Sequence, residues 1–349
     1  MKSFMLTGIR RMEIQEIPVP KLTSDTDVLI AILTVGVCGS DIHYYLNGRI
    51  GSQVVEYPFA VGHECAGVVE AVGPAVTRVK PGDRMALDPA IACYACDQCG
   101  LGRPHTCRNL KFLGCPGQVS GCLSEYIVMP EKSCFPIRDN MSFEIAALVE
   151  PLTIGVYAVE SSIPMEGARI GILGAGPIGL SVLHAALEMG AEKVYMTDII
   201  SERLKFAKDS GAHWVGNAST KDVVREIGKL EPFQLDAVFE CCGQQEALDQ
   251  AIDLLKPGGK LMVIGIPSIA RISFNIDLLR HKEICIQNVR RQNGCVQKTL
   301  EMIDRGVLAV EDMITHRFSF EDTQAAFDMV AEYRDGVIKA IIHLSDISQ

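Results

Sequence analysis

The stretch ARIGILGAGPIGLSVLHAALEMG (168–190) decides the fold. Its first residues, ARIGIL (168–173), are a short apolar run of strand character, and a helical stretch follows over Pro177–Met189. Between them Gly174, Gly176 and Gly179 stand in the spacing G-x-G-x-x-G, with Pro177 and Ile178 completing the turn. In such a turn the first glycine permits a tight bend and the second lets backbone approach a pyrophosphate. The third lets helix and strand pack closely. The pyrophosphate then rests on the helix N-terminus, where unpaired N–H groups and the helix dipole favour negative charge. A glycine-rich turn alone is weak evidence. Here, however, a second apolar run, KVYMT (193–197), leads into Asp198, nineteen residues beyond Gly179. An acidic side chain there accepts hydrogen bonds from an adenosine ribose and repels a 2′-phosphate. Ile199 and Ile200 follow with no adjacent arginine, so the expected cofactor is NAD rather than NADP. Arg203 lies farther along, suited to stacking on adenine or to neutralising charge.

Working outward, LDAVFE (235–240) and KLMVIGI (260–266) are two more apolar runs. They alternate with helical stretches at Ser201–Asp209, Lys221–Lys229 and Gln244–Leu255, a pattern of βαβ units and a parallel sheet. The first 150 residues differ. DVLIAILTVGVC (27–38) and ECAGVVEAVG (64–73) have strand character, KPGDRM (80–85) is a turn into another strand, and helical periodicity is scarce. After about residue 285 the texture is mixed, with a helix near Gln297–Arg305 and a last strand around Ile338–His343. The expected fold is α/β, a doubly wound Rossmann domain (156–285) inserted into a β-rich domain (1–155) to which residues 286–349 return.

Composition agrees with this. A chain of 349 residues is long for one core and suggests two domains. With 48% apolar and 22% charged residues, wholesale disorder is excluded. The formal charge of −10 speaks against a life on phosphate backbones, so no nucleic-acid partner is expected. No run of eighteen apolar residues appears, and the N-terminus lacks the basic-then-apolar layout of a signal peptide. No membrane association and a cytoplasmic location are expected. The thirteen cysteines are an odd count without a secretion signal, which disfavours a disulfide framework.

Four of them, Cys93, Cys96, Cys99 and Cys107, form C-x2-C-x2-C-x7-C within a Gly-rich polar lobe (88–112). Four thiolates complete a tetrahedral Zn²⁺ site of the closed, structural kind. An iron–sulfur cluster is the rival, but ferredoxin-type spacing places its fourth cysteine much nearer or elsewhere in the chain. Cys115 and Cys122 are expected as free thiols. A second set lies in V-C-G-S-D-I-H (37–43) and G-H-E (62–64). Taken singly, a cysteine is often a small buried hydrophobe and a histidine an ordinary hydrogen-bonding residue. Together, Cys38, His63 and Glu64 offer thiolate, imidazole and carboxylate, which can bind zinc and leave a fourth position open for substrate.

With these residues in view, the chain resembles the medium-chain, zinc-dependent alcohol dehydrogenases, in particular the sorbitol (polyol) and threonine dehydrogenase branch. The likeness spans nearly the whole chain: G-H-E, K-P-G-D-R (80–84), the four-cysteine lobe, V-E-P-L (149–152) and G-A-G-P-I-G (174–179). It implies a GroES-like catalytic domain, two zinc ions per chain, NAD, and a homotetramer. In that branch the residue after the zinc histidine is Glu, matching Glu64. Glu150 matches a position where other alcohol dehydrogenases carry a second cysteine, which implies that Glu150 contacts the zinc water or exchanges with Glu64 as ligand. The resemblance further implies zinc-assisted formation of an alkoxide, hydride transfer to the nicotinamide, and a proton relay through Ser40 and His43. Ser40 has an alternative use as a helix N-cap. Tyr44 matches an aromatic that lies against substrate, with core packing as its plain alternative. Ile264, Gly265, Ile266, Val289 and Arg290 fall where the family contacts the cofactor. The active site is expected in the cleft between the domains.

The substrate is less sharply written. Sorbitol dehydrogenases show Arg followed by an aromatic residue in the segment matching VRRQNG (289–294), whereas this chain has Arg290 and Arg291 in tandem. Guanidinium groups grip a carboxylate bidentately, so a sugar acid joins neutral polyols as a candidate, with cofactor phosphates or an ion pair as other uses for the pair. Threonine-type oxidation of a hydroxy amino acid is a further alternative. A non-catalytic, zinc-stabilised nucleotide-binding regulator is the reading from another class, disfavoured because metal ligands and relay residues are intact. A zinc-free quinone-reductase relative would lack both metal sets.

Overall fold

The computed structural model describes residues 1–308 and 310–344. They fall into two compact units: one built on Met1–Glu150, to which Val296–Asp304 and the chain from Val310 return, and one built on Pro151–Cys295. The second unit runs past 285 because Cys285–Asn288 is a strand of its sheet. Among the described residues no helix is long and apolar enough to cross a membrane.

In the second unit six strands lie parallel, in the order Trp214–Asn217, Lys193–Asp198, Arg169–Leu173, Leu235–Glu240, Leu255–Val263 and Cys285–Asn288. In chain order this is 3-2-1-4-5-6, the doubly wound arrangement whose order reverses between the first and fourth strands. Ile170, Ile172, Val194, Met196, Ala237, Val238 and Phe239 are fully buried, as expected where helices cover both faces of a parallel sheet. Two strands were not evident from sequence. Trp214–Asn217 is short and contains Gly216, where a Cβ would overlap the Trp214 ring, and Cys285–Asn288 is half polar.

The first unit holds a seven-stranded sheet. Along it run Cys134–Pro136, Arg84–Leu87, Glu64–Val72, Asp27–Gly36, Lys339–His343 and Ile314–Ser319, with Tyr126–Pro130 also paired to Asp27–Gly36. Only the last two strands of that path are parallel to each other. The register places Gly36 opposite Glu64 on one side and opposite Ile341 on the other. Helices are present where periodicity looked scarce: Gly39–Asn47 and Phe143–Glu160. The second is apolar nearly all round and contains Pro151, so no polar face marks its period. A third unexpected helix, Thr323–Ala331, packs with Gly39–Asn47 through the Tyr45–Phe327 ring contact at 5.5 Å.

The Gly-rich turn has the backbone its sequence requires. Gly174 adopts φ +107°, and a Cβ on Gly179 would overlap the Gly174 carbonyl oxygen. A Cβ on Gly176 meets only the Arg203 guanidinium, at 3.5 Å. Gly179→Ala is therefore expected to destabilise the second unit by about 1–3 kcal/mol through overpacking. Gly176→Ala should leave the unfolding midpoint unchanged yet weaken dinucleotide binding. Thermal unfolding and NADH titration of both variants check this, and equal loss of stability in the two would contradict it.

Candidate functional site

In the first unit, two paired strands deliver one cluster. The strand Asp27–Gly36 ends two residues before Cys38, and its antiparallel neighbour begins at Glu64, directly after His63. The donor atoms of Cys38, His63 and Glu64 all lie within 4.8 Å of one another. His63 and Glu64 are buried and Cys38 half-buried. A sulfur, a nitrogen and an oxygen donor at this spacing fit Zn²⁺ with one position left open.

Asp41, which was not among the residues expected from sequence, organises the cluster. It is 1% exposed; Oδ1 accepts from the Gly62 N–H at 3.1 Å and lies 3.3 Å from His63 Nδ1, while Oδ2 accepts from the Cys38 N–H at 3.2 Å. With Nδ1 engaged by the carboxylate, Nε2 is the nitrogen left for a metal. Burial disfavours protonation of His63, but Asp41 and Cys38 outweigh it and hold the imidazole pKa well above its usual value. Phe112, also missed, packs its ring 5.3 Å from that of His63. Lys339, 1% exposed, donates to Glu64 Oε2 at 2.5 Å and to the Val37 carbonyl at 3.1 Å. The signal for Asp41 was its place three residues after Cys38, at the start of a helix. No local signal marks Lys339.

Cys38 is the N-cap of the helix Gly39–Asn47, so Ser40 lies inside the first turn and the N-cap alternative for it does not hold. Its Oγ instead donates to Cys38 Sγ at 3.4 Å. His43, half-buried on the same helix, has its pKa lowered by burial. Tyr44 belongs to the buried core, and its hydroxyl donates to Gln53 Oε1 at 3.1 Å. Burial pushes the Glu150 carboxyl up to about 7; Glu64 and Asp88 add to the rise, and His63 and Lys339 oppose it. A divalent cation at the cluster would pull it back down.

In the polar lobe the thiols of Cys93, Cys96, Cys99 and Cys107 also lie within 4.8 Å of one another. Sγ–Sγ separations of 3.4, 3.7 and 3.8 Å compare with about 3.8 Å for thiolates placed tetrahedrally around zinc at ~2.3 Å. Backbone N–H groups of Arg108 and Cys99 hold the Cys96 thiol down to about 6. Arg108 closes the lobe with two hydrogen bonds to Asp97, at 2.5 and 2.8 Å. Among the described residues neither Cys115 nor Cys122 joins a metal-ligating group.

In the second unit, Asp198 closes on the Gly-rich turn. Its Oδ2 accepts from Ala175 N–H at 2.6 Å, and Oδ1 accepts from the N–H groups of Ile199 and Ile200 at 2.7 and 2.9 Å. The helix Pro177–Glu188 starts at Gly176 with Pro177 in its first turn and no side chain capping its N–H groups. These features fit a dinucleotide. Arg203 is buried beside Gly176. Ile264, Gly265, Ile266 and Val289 line one cavity of about 350 Å³. Arg290 is exposed, whereas Arg291 is half-buried with φ +56°, so the tandem arginines occupy different surroundings.

Residues 24–139 match the model of the alcohol dehydrogenase GroES-like domain, and residues 177–305 match that of the zinc-binding dehydrogenase. A sorbitol dehydrogenase of Bacillus subtilis is 36% identical over 98% of this chain and 97% of its own. The chain belongs to the zinc-type alcohol dehydrogenase family. The dehydrogenase is accordingly an oxidoreductase acting on alcohols. An L-idonate 5-dehydrogenase of Vitis vinifera is 34% identical over 93% of this chain and 90% of its own. Among solved structures, an Escherichia coli oxidoreductase/dehydrogenase of unknown specificity superposes with a TM-score of 0.92 at 34% identity, covering 99% of both chains.

If Asp41 orients His63 in this dehydrogenase, Asp41→Asn should lower zinc affinity at the Cys38 cluster by about 10–100-fold and leave the four-cysteine site untouched. Competition with a chromophoric chelator measures this, and equal loss at both sites would mean Asp41 acts on folding alone.

Proposed function

We propose that the protein oxidises a secondary alcohol on a small polyhydroxylated substrate, a polyol or a sugar acid, using NAD and two zinc ions per chain, one catalytic and one structural. The observation that carries this is the Cys38–His63–Glu64 donor set beside Glu150, in a chain similar to a sorbitol and an L-idonate dehydrogenase. When bound, zinc supplies the Lewis acidity that lowers a hydroxyl pKa, and NAD supplies the hydride acceptor.

The chain's own residues do the rest. Cys38, His63 and Glu64 hold the metal, and Asp41 fixes the ring of His63. Ser40, 3.4 Å from Cys38 Sγ, is positioned to take the substrate proton, and His43, kept neutral by burial three residues along, passes it outward. Glu150, whose carboxyl interacts electrostatically with His63 and Glu64, would be an ionised neighbour of the metal once zinc is bound, suited to accept a hydrogen bond from a hydroxyl there. The Asp198 carboxylate, held in place by three backbone N–H groups beside the Gly-rich turn, supports NAD over its 2′-phosphorylated form. Exposed Arg290 supports a carboxylate-bearing substrate, since a single guanidinium grips a carboxylate with two parallel bonds. The same cation would serve a hydroxy amino acid, the second reading. Five cysteine ligands must stay reduced to hold zinc, which supports a cytoplasmic setting, and family likeness supports a tetramer.

Initial rates of NADH formation across polyols, aldonates and threonine, with NADP as control, test this. Polyols or aldonates should turn over with NAD, and Cys38→Ala or His63→Ala should abolish turnover while NADH still binds; turnover retained in either variant would contradict the metal site. Asp198→Ala should weaken NAD by about tenfold or more and shift preference toward NADP. An unchanged cofactor ratio would remove Asp198 from the ribose.

A further inference from the structure

Glu64 carries more than a metal ligand's usual surroundings. Its carboxylate is 1% exposed and is boxed by two groups, one from the strand paired with its own and one from the strand beyond that. Gly36 lies directly opposite, and a Cβ there would overlap Glu64 Oε2. Lys339, at the first position of the strand Lys339–His343, points its ammonium at the same oxygen, 2.5 Å away, and donates a second hydrogen bond to the Val37 carbonyl. A lysine this deeply buried needs a counter-charge, and Glu64 is the carboxylate it touches.

We propose that Lys339 is a positioning residue for the metal cluster: by holding Oε2 of Glu64 it leaves Oε1 as the single oxygen for the metal, and it keeps the carboxylate neutralised and in place whenever the metal is absent. This rests on Cys38, His63 and Glu64 being the zinc ligands. Two consequences follow. Metal loading is uncoupled from folding, because the buried charge of Glu64 has a permanent partner. Glu64 is also a weakened donor, because its charge is shared between an ammonium and the metal, so the ligand set binds zinc less tightly than its composition allows.

The test uses the full-length enzyme as Lys339→Met, Lys339→Arg, Glu64→Gln and the double variant Lys339→Met/Glu64→Gln. The parent, Lys339→Met and Lys339→Arg are prepared with two zincs per chain, and all of the proteins, after chelator treatment, with one. In the parent enzyme, removing the second zinc should shift the unfolding midpoint little. In Lys339→Met the gap between the two forms should widen by about 5 °C or more, because the stripped form then buries an unpaired carboxylate. Zinc affinity at the cluster should rise by about tenfold or more, since what destabilises only the stripped form tightens metal binding. Lys339→Arg should resemble the parent. The stripped double variant should be more stable than either single variant, which keeps the test open even if Lys339→Met alone fails to fold. Equal destabilisation of both forms with unchanged zinc affinity, or additive losses in the double variant, would reduce Lys339 to a structural cation and overturn the proposal. If instead Cys38→Ala retains both zincs, the ligand assignment itself fails, an outcome distinct from these.

Discussion

The pairing of Gly36 with Glu64 across two antiparallel strands is the constraint on which the Cys38–His63–Glu64 donor cluster depends. It fixes where Cys38 emerges from one strand and where His63 and Glu64 enter the other. A slip of one residue would turn Glu64 to the opposite face of the sheet and separate the three donors. The absent side chain of Gly36 makes room for the carboxylate, and the third strand, on the far side of Gly36, brings Lys339 to it. Asp41 then ties the two loops together, since one carboxylate bonds the backbone of Cys38 and Gly62 and faces the ring of His63.

The second unit solves a different problem with backbone rather than side chains. A pyrophosphate needs N–H groups at close range, and the turn from Gly174 to Gly179 suits one because Gly176 carries no Cβ and Gly179 lets the helix sit against the Gly174 carbonyl. Asp198 contributes twice. Its carboxylate accepts from the Ala175 N–H of the neighbouring turn and from the Ile199 and Ile200 N–H groups that follow its own strand, and under the proposed function the same carboxylate would bear on which nicotinamide cofactor is taken. In that reading one side chain holds both preorganisation and selectivity.

What could be seen in the sequence was what short-range patterns encode. The glycine spacing, the four-cysteine lobe and the G-H-E triplet are each short segments, and each appears in the structure as a turn or within a cluster of donor atoms that could hold a metal. Lys339 was hidden because it stands 275 residues from Glu64, and only the register of a mixed sheet brings the two together. The helix Phe143–Glu160 was hidden for the opposite reason: buried on nearly all sides, it has no polar stripe to betray its period. Trp214–Asn217 and Cys285–Asn288 are four residues each, too short for alternation to register as a strand. The tandem arginines read as one feature in sequence, yet backbone geometry separates them, Arg291 turning through positive φ while Arg290 stays exposed.

The central claim is that the donors gathered by this register form a second, open metal site beside the closed four-cysteine one. Anomalous diffraction at the zinc edge from crystals of the zinc-loaded protein tests it most directly. The account expects two peaks per chain, one enclosed by Cys93, Cys96, Cys99 and Cys107, the other about 2.0–2.3 Å from donor atoms of Cys38, His63 and Glu64 with a non-protein ligand in the fourth position. A single peak at the four cysteines, with Glu64 held only by Lys339, would contradict it.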